Sequence, residues 1–286
     1  MTLSPRQVRD LLAEHGLSPS RALGQNFVAD PNTVRRIARL AEVGPGDRVV
    51  EVGPGLGSLT LALVETGAEV TAVELDRHLL PVLRSVVEPH GVRVVQGDAM
   101  RLDWDELLGD TGAGSAGVPG GAGPWALVAN LPYNVATPLV LDLLAGVPAI
   151  DRMLVMVQRE VGERLAAAPG VKAYGIPSVK VAYWATAKVV GRVPPTVFVP
   201  QPRVESVLVR LRRLPAPPVD ADPERLFRLV EAGFGQRRKM LRRSLAALVG
   251  PVGFERAGIR PDARAEELTL ADWALLAAGD VGESPP

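Results

Sequence analysis

The sequence predicts an α/β fold with a parallel sheet, followed by a smaller helical domain. Between residues 47 and 160, short apolar runs alternate with segments of helical periodicity, which is typical of βαβ units. A glycine-rich loop joins the first of these runs to the first helical segment. A proline-rich, acidic stretch at 215–223 then precedes two more helical segments. At 286 residues, the chain is long enough for two domains.

The strands and helices of the α/β region are predicted in order along the chain. Each strand is a short run of mainly apolar residues, whereas each helix repeats apolar residues at helical spacing. We predict strands at 47–55, 68–76, 92–100, 124–134 and 153–160, with helices at 58–67 and 78–91. The stretch 109–124 is rich in glycine and nearly uncharged, and we predict that it forms a flexible surface insertion.

The C-terminal part is predicted to be helical. Residues 224–250 and 266–279 both have helical periodicity, and 215–223 has the composition of a linker. We therefore predict an α/β domain at 1–214, which includes an N-terminal helical extension, and a helical domain at 215–286.

The composition excludes several classes of protein. Without cysteine there is no disulfide framework, no Cys-ligated zinc, no iron–sulfur cluster and no thiol nucleophile. The three histidines, at positions 15, 78 and 90, lack metal-ligand spacing. The sequence has no apolar run long enough to span a bilayer and no signal-peptide stretch at its start. We expect a cytoplasmic protein without a metal.

The charge is unevenly distributed, although the net charge is zero. Residues 1–151 contain 11 Lys/Arg and 18 Asp/Glu, whereas residues 152–243 contain 18 Lys/Arg and 7 Asp/Glu. Such a basic segment is typical of a surface that faces a polyanion. An ordinary solvated face that pairs with the acidic half would have the same composition, so charge alone leaves both interpretations open.

The strongest local signal is the loop EVGPGLG at 51–57, between a strand and a helix. Its glycines allow a tight turn and a close approach of the backbone to a ligand, beside the free N–H groups of a helix start. Position 58 is Ser, so the spacing is not that of a G-x-G-x-x-G dinucleotide motif, and the P-loop pattern is also absent.

Two acids follow at the ends of the next two strands. Glu74 ends the second predicted strand, where a carboxylate can accept both hydroxyls of a ribose. Asp98 ends the third predicted strand, where a carboxylate can accept a hydrogen bond from an adenine amino group. Either acid alone is also typical of a turn or helix cap. Together with the loop they indicate an adenosine-type ligand, and they do not separate S-adenosylmethionine from a nicotinamide dinucleotide.

The fourth predicted strand ends in the motif NLPY at 130–133, without an accompanying His, Lys or Ser–His pair. This suits a reaction that needs positioning more than acid–base catalysis, such as methyl transfer from a sulfonium to an exocyclic amine. The Asn130 amide oxygen and a backbone carbonyl of Leu131 or Pro132 could accept the N–H groups of that amine, and Tyr133 could stack on the base.

Nine short motifs follow one another along nearly the whole chain, from about residue 20 to 275. They are LGQNFVAD (23–30), EVGPGLGSLT (51–60), AVELD (72–76), QGDAM (96–100), NLPYN (130–134), QREVGERL (158–165), AYG (173–175), VFVPQPRVES (197–206) and FGQRRKMLRR (234–243). Together they resemble the rRNA adenine N6-dimethyltransferases. The sixth and ninth, with KAYG, are similar to the KsgA-type branch that acts on the small ribosomal subunit, and match the Erm branch less well.

The resemblance implies a Rossmann-like, seven-stranded methyltransferase domain and a small all-α C-terminal domain that binds rRNA. It implies S-adenosyl-L-methionine as methyl donor and no metal. The implied reaction dimethylates the N6 amino groups of two adjacent adenines in the loop of the 3′-terminal hairpin of 16S rRNA. The implied partner is the small (30S) subunit or its precursor, met by a monomer during ribosome biogenesis.

The resemblance also implies roles for individual residues. The cofactor contacts are Asn26, Val28, Gly53, Glu74, Asp98 and Asn130, with Gln25 and Gly55 as secondary contacts. The groups that hold the target adenine are Asn130, Leu131, Pro132 and Tyr133, with Phe198 stacking on the other side of the base. The predicted rRNA contacts are Arg237, Arg238, Lys239, Arg242 and Arg243, which we expect to lie on one helix with i, i+4 spacing, so that most of them share a face.

Three alternatives stay open at this point. The first is an Erm-type enzyme that methylates 23S rRNA and confers macrolide resistance. The second is a ribosome-assembly factor whose main role is to bind the immature small subunit. The third is a small-molecule methyltransferase, against which the basic segment and the second domain both count.

Overall fold

The structure is a computed structural model of the chain, and it describes residues 2–20, 23–109, 123–132 and 135–278. Most of the predicted insertion at 109–124 lies outside the described residues, so the prediction that it is flexible stays a prediction. None of the helices in the described residues is long and apolar enough to cross a membrane.

The described residues form nine strands and twelve α-helices. The strands are β1 (Phe27–Val28), β2 (Arg48–Val52), β3 (Glu69–Glu74), β4 (Arg93–Gln96), β5 (Trp125–Asn130), β6 (Ile150–Gln158), β7 (Ala185–Val193), β8 (Phe198–Val199) and β9 (Ser206–Arg213). The helices are α1 (Pro5–Glu14), α2 (Pro31–Ala41), α3 (Ser58–Val64), α4 (Leu80–Val87), α5 (Trp104–Gly109), α6 (Ala136–Gly146), α7 (Arg159–Leu165), α8 (Ile176–Trp184), α9 (Pro223–Gly235), α10 (Leu241–Ser244), α11 (Pro251–Ala257) and α12 (Leu270–Ala278).

Seven strands form one sheet in the order β4-β3-β2-β5-β6-β9-β7. Strands β4, β3, β2, β5 and β6 run parallel to one another, and β9 runs antiparallel to β6. The registers Val52↔Val73 and Glu74↔Gln96 bring the carboxyl ends of β2, β3 and β4 to the same edge of the sheet. The predicted α/β fold with a seven-stranded sheet is confirmed, and β2 to β6 are the five predicted strands.

A short antiparallel ribbon lies apart from this sheet. It pairs β1 with β8, so that Phe27 faces Val199 and Val28 faces Phe198. The N–H of Ala29 also donates to the carbonyl of Val197 at 2.8 Å. The ribbon therefore ties the segment before α2 to the segment before β9.

The chain divides into two compact units. One comprises Met1–Gly162 and Lys188–Arg213, and the other comprises Glu163–Ala187 and Leu214–Pro286. The prediction placed one boundary after residue 214, whereas residues 163–187 belong to the second compact unit. The assignment of functional domains to these units stays a prediction.

Each unit has its own apolar core. In the first unit the core packs the helices against the sheet, with fully buried Val49, Leu63 and Leu83 among its members. In the second unit it gathers around Trp273, with Leu226, Val230 and Leu241 fully buried.

The predicted helix at 224–250 is wrong, because the chain breaks after α9 at Gly235 and starts again at α10. Met240 has extended backbone, and the N–H groups of Leu241 and Arg242 donate to the carbonyls of Ala263 and Pro261, at 2.8 and 2.9 Å. These tertiary hydrogen bonds replace the ones that a continuous helix would make.

Candidate functional site

A cleft opens at the carboxyl ends of the parallel strands, and the space inside it and at its open mouth is about 1100 Å³. Ligands of open α/β sheets bind at this edge. The structure brings the predicted cofactor contacts together in the cleft lining: Asn26, Val28, Gly53, Glu74, Asp98 and Asn130, with Gln25 and Gly55.

The glycine loop forms one wall of the cleft. Gly53, Gly55 and Gly57 have φ values of +70°, +59° and +87°, which side-chain-bearing residues rarely adopt. A Cβ on Gly55 would lie 2.7 Å from the ring of Phe27, so only glycine lets this ring pack against the loop. The loop ends at Gly57, where α3 begins.

Glu74 stands at the end of β3 and is 5% exposed. Its carboxylate accepts the N–H groups of Asp76 at 2.8 Å and of Gly55 at 3.2 Å. Burial raises the pKa of Glu74, while these two hydrogen bonds lower it in part. Two backbone donors thus fix the carboxylate and leave it able to accept further hydrogen bonds from a ligand.

Glu51 is a second buried carboxyl group in the cleft wall, and the sequence did not single it out as a site residue. Its carboxyl group accepts a hydrogen bond of 2.5 Å from the hydroxyl of Thr60. Burial raises the pKa of Glu51 to about 8; the bond from Thr60 lowers it in part, and the charge of Glu74 raises it. Only the fold reveals this burial, because Glu51 and Thr60 lie on different elements.

Asp98 lies in the turn after β4. Its carboxylate accepts the N–H of Met100 at 3.0 Å and lies 3.7 Å from the guanidinium of Arg101. Asp98 therefore stabilises its own turn and also lines the cleft, so the two predictions for this residue, a turn residue and a ligand contact, are compatible.

Asn130 connects the fourth predicted strand to the N-terminal segment. Its side-chain nitrogen donates to the backbone carbonyl of Asn26 at 3.0 Å. Because this bond uses the nitrogen, it fixes the amide plane and leaves the oxygen as an acceptor. A Cβ on Gly53 would lie 3.8 Å from the backbone oxygen of Asn130, so the two predicted ligand areas adjoin each other here.

The rest of the NLPY motif is fixed by main-chain bonds. Leu131 is buried, and its N–H donates to the carbonyl of Met156 at 3.1 Å. The carbonyl of Pro132 accepts the N–H groups of Val135 and Ala136, where α6 begins. Tyr133 lies outside the described residues, so its predicted stacking on the base stays a prediction.

Phe198 is buried in the ribbon, with 4% of its surface exposed and Val28 opposite it. Neither Phe198 nor Leu131 is among the described residues that line the cleft. The ribbon places Phe198 next to a cleft residue, and its stacking on a base stays a prediction.

The predicted basic cluster does not share one helix face. Arg237, Arg238 and Lys239 lie in the turn after α9, whereas Arg242 and Arg243 lie in α10. Arg237 bonds to the carboxylate of Glu266 at 2.6 Å. The predicted single helix with i, i+4 spacing is thus wrong, although all five side chains are exposed.

The described residues contain no group of His, Asp and Glu side chains that could hold a metal ion. The cleft lining, in the described part of the chain, contains three carboxyl groups and neither Lys nor Arg. Those carboxyl groups belong to Glu51, Glu74 and Asp98. Because Glu51 holds its proton near neutral pH, the suitability of the site for a ligand with positive charge rests on Glu74 and Asp98.

Comparison with known proteins identifies the family. The model of the family described as ribosomal RNA adenine dimethylase matches residues 17–278. A protein from Thermobifida fusca named ribosomal RNA small subunit methyltransferase A is 49% identical, with 96% of this chain and 95% of the relative covered. A protein of the same name from Kineococcus radiotolerans is 50% identical, with 96% and 91% covered.

Solved structures are also similar. The 23S rRNA methyltransferase ErmE is 26% identical with a TM-score of 0.65, and the match covers 89% of this chain and 99% of ErmE. A dimethyladenosine transferase from Plasmodium falciparum has a TM-score of 0.68 at 21% identity, covering 87% and 95%, and supports the fold alone. The chain belongs to the ribosomal RNA adenine dimethylase family, whose members are methyltransferases that depend on S-adenosylmethionine.

Proposed function

We propose that this protein dimethylates the N6 amino groups of two adjacent adenines in the 3′-terminal hairpin loop of 16S rRNA, during small-subunit biogenesis. Relatives named for the small ribosomal subunit are about half identical over nearly the whole chain. The neighbour named for 23S rRNA is 26% identical. This contrast favours the small-subunit reaction over the Erm-type alternative.

The cleft residues fit S-adenosylmethionine as the methyl donor. Glu74 is held by two backbone N–H groups and can accept the ribose hydroxyls, and Asp98 can accept from the adenine amino group. The carboxyl-rich lining favours this cationic donor over a nicotinamide dinucleotide, which carries two phosphates. Gly53 leaves room between the cofactor area and Asn130, because a side chain there would enter that space.

The observation that carries the proposal is the fixed amide of Asn130. Bound S-adenosylmethionine supplies a methyl group that its sulfonium has already activated. The task of the protein is then to orient an adenine amine whose lone pair is delocalised into the ring. The Asn130 oxygen, held by the bond from its own nitrogen to Asn26, accepts one N–H of that amine.

For the second acceptor we propose the carbonyl of Leu131, which stands between the cleft residues Asn130 and Pro132, although the buried Leu131 side chain is not itself part of the lining. The neighbouring carbonyl of Pro132 already accepts two N–H groups at the start of α6. The N–H of Leu131 is bonded to Met156, which fixes the peptide on the other side. The two acceptors, one from Asn130 and one from Leu131, would together make the amine nitrogen more tetrahedral and hold it in line with the methyl group.

The basic residues after α9 supply affinity for the RNA. Arg238, Lys239, Arg242 and Arg243 are exposed, and contacts of this kind to phosphates carry no sequence information. Specificity then comes from the shape of the hairpin loop and its splayed bases. We propose that the protein acts as a cytoplasmic monomer on the 30S subunit or its precursor.

The Asn130→Ala variant tests this assignment. We expect it to bind S-adenosylmethionine within about threefold of the wild-type affinity, because the Asn130 amide oxygen is assigned to the target amine, and to lose about a thousandfold in methyl transfer. Calorimetry measures the first quantity, and incorporation of tritiated methyl groups into undermethylated 30S subunits measures the second. Unchanged turnover would contradict the pocket assignment.

A further inference from the structure

Six consecutive residues before α2, Leu23 to Val28, line the cofactor cleft, and we call residues 23–28 the strap. Its far end is fixed by main-chain pairing, since Phe27 and Val28 form β1 of the ribbon. Its near end holds Gln25. The strap is therefore a piece of cleft wall that is anchored by its backbone at one end and by side chains at the other.

The side chain of Gln25 has protein partners at both polar atoms. Its oxygen accepts the N–H of Ser20 at 2.7 Å, and its nitrogen donates to the carboxylate of Asp76 at 2.8 Å. The backbone N–H of Gln25 also donates to the carbonyl of Ser20, at 3.0 Å. A side chain with these partners holds the strap in place.

Asp76 lies two residues after the end of β3, next to Leu75, which lines the cleft. Its backbone N–H donates to the carboxylate of Glu74, and its own carboxylate also accepts the N–H of His78 at 2.9 Å. The bond from Gln25 to Asp76 therefore joins the strap to the turn that orients Glu74, the proposed acceptor of the ribose hydroxyls.

We propose that the Gln25–Asp76 hydrogen bond is the latch of a strap that opens to exchange cofactor and closes over it, and that Gln25 is a positioning residue. The ligand is S-adenosylmethionine, so in this respect the inference rests on the proposed function. Each dimethylated adenine uses two methyl donors, so spent cofactor must leave between transfers, and the latch sets how fast it does so.

The latch makes a kinetic prediction that a direct cofactor contact does not. The latch bond joins two protein groups, with or without ligand. Weakening it raises the open population of both forms by the same factor, so association and dissociation accelerate together while Kd stays nearly constant. Loss of a direct contact would instead accelerate dissociation alone and raise Kd.

The experiment compares three variants of the full chain: Gln25→Ala, Gln25→Glu and the double variant Gln25→Glu/Asp76→Asn. Rates of association and dissociation of tritiated S-adenosylmethionine are measured by rapid filtration. We expect both rates to rise about tenfold in Gln25→Ala, as for loss of a hydrogen bond to a charged group, and further in Gln25→Glu, where two carboxylates face each other. In the double variant the amide at position 76 donates to the carboxylate at position 25, and both side chains keep nearly their original shapes. We therefore expect it to restore both rates.

The outcomes separate the latch from the proposed function. If the wild type binds S-adenosylmethionine and the single variants leave both rates unchanged, or raise dissociation without association, the latch is wrong. Accelerated rates that the double variant fails to restore would also overturn it. If the wild type fails to bind S-adenosylmethionine at all, the proposed cofactor is wrong, and this result is recognised before any variant is made.

Discussion

At the scale of single residues, two buried carboxyl groups, those of Glu51 and Glu74, line the cleft that we propose as the cofactor site. Glu74 is held by the N–H groups of Gly55 and Asp76, which places its remaining lone pairs for a ligand. This role could be predicted from sequence, because an acid at the end of the second strand of such a sheet has a known geometry. The two N–H partners could not, because they depend on the path of the glycine loop.

We expect Glu74→Gln to weaken S-adenosylmethionine binding by about ten- to a hundredfold, because charge-assisted hydrogen bonds to two hydroxyls are lost. Calorimetric titration measures the change in Kd. Glu69→Gln is the matched control, since Glu69 lies on the same strand and is exposed. Equal affinity of Glu74→Gln and the wild type would show that the carboxylate does not face the cofactor.

Glu51 predicts a pH dependence of stability. Its pKa is raised by burial to about 8, above the usual value for an unfolded chain. The folded protein therefore holds this proton more tightly than the unfolded one. The contribution of Glu51 to the free energy of unfolding is fully present below pH 4.5 and decreases as the pH rises to about 8.

We expect the wild type to lose a few kcal/mol of unfolding free energy through this group between pH 5 and pH 8. Glu51→Gln, which cannot titrate, should lose correspondingly less across the same window. Urea denaturation at pH 5, 6.5 and 8 gives the comparison, and the difference between the two proteins isolates Glu51 from other groups. Parallel curves would mean that Glu51 is not buried as described.

At the scale of elements, Arg213 fixes the helix that follows the NLPY motif. From the end of β9, its guanidinium donates to the carbonyls of Leu143, Leu144 and Val147, at the C-terminal end of α6, and to that of Ile150. Burial lowers the pKa of Arg213. Cations at this end of a helix also interact favourably with its dipole.

We expect Arg213→Ala to reduce the free energy of unfolding by about 2–4 kcal/mol, because several carbonyls lose their partner together. The neighbouring Arg212→Ala is the control, since Arg212 is an exposed side chain paired with Glu42, and such pairs contribute about 0–1 kcal/mol. Thermal and urea denaturation measure both. Similar losses in the two variants would contradict the capping role of Arg213.

The elements also show where sequence patterns are informative. Strands β2 to β6 are apolar runs of five or so residues between turn signals, so periodicity was sufficient to predict them. The ribbon of β1 and β8 has two residues a strand, too few for any periodicity. The break between α9 and α10 depends on carbonyls of Pro261 and Ala263, which no local pattern could reveal.

At the scale of the whole molecule, the sequence predicted that chemistry and RNA binding are carried by different parts of the chain. The described residues that line the proposed cofactor cleft all lie in the first unit, and the exposed basic residues after α9 lie in the second. The uneven charge distribution left two interpretations open, and the motifs, not the charge, indicated this division. The sequence did not indicate that residues 163–187 would pack with the C-terminal helices, because the composition of this segment does not differ from that of the residues around it.

We propose that this cleft methylates adenines of the small ribosomal subunit, and mapping of the methylated nucleosides tests this proposal. The protein is incubated with tritiated S-adenosylmethionine and, in separate reactions, undermethylated 30S subunits and 50S subunits, and the labelled nucleosides are then mapped. We expect N6,N6-dimethyladenosine at two adjacent positions in the 3′-terminal hairpin loop of 16S rRNA. Label confined to 23S rRNA, or absent from both, would contradict the claim.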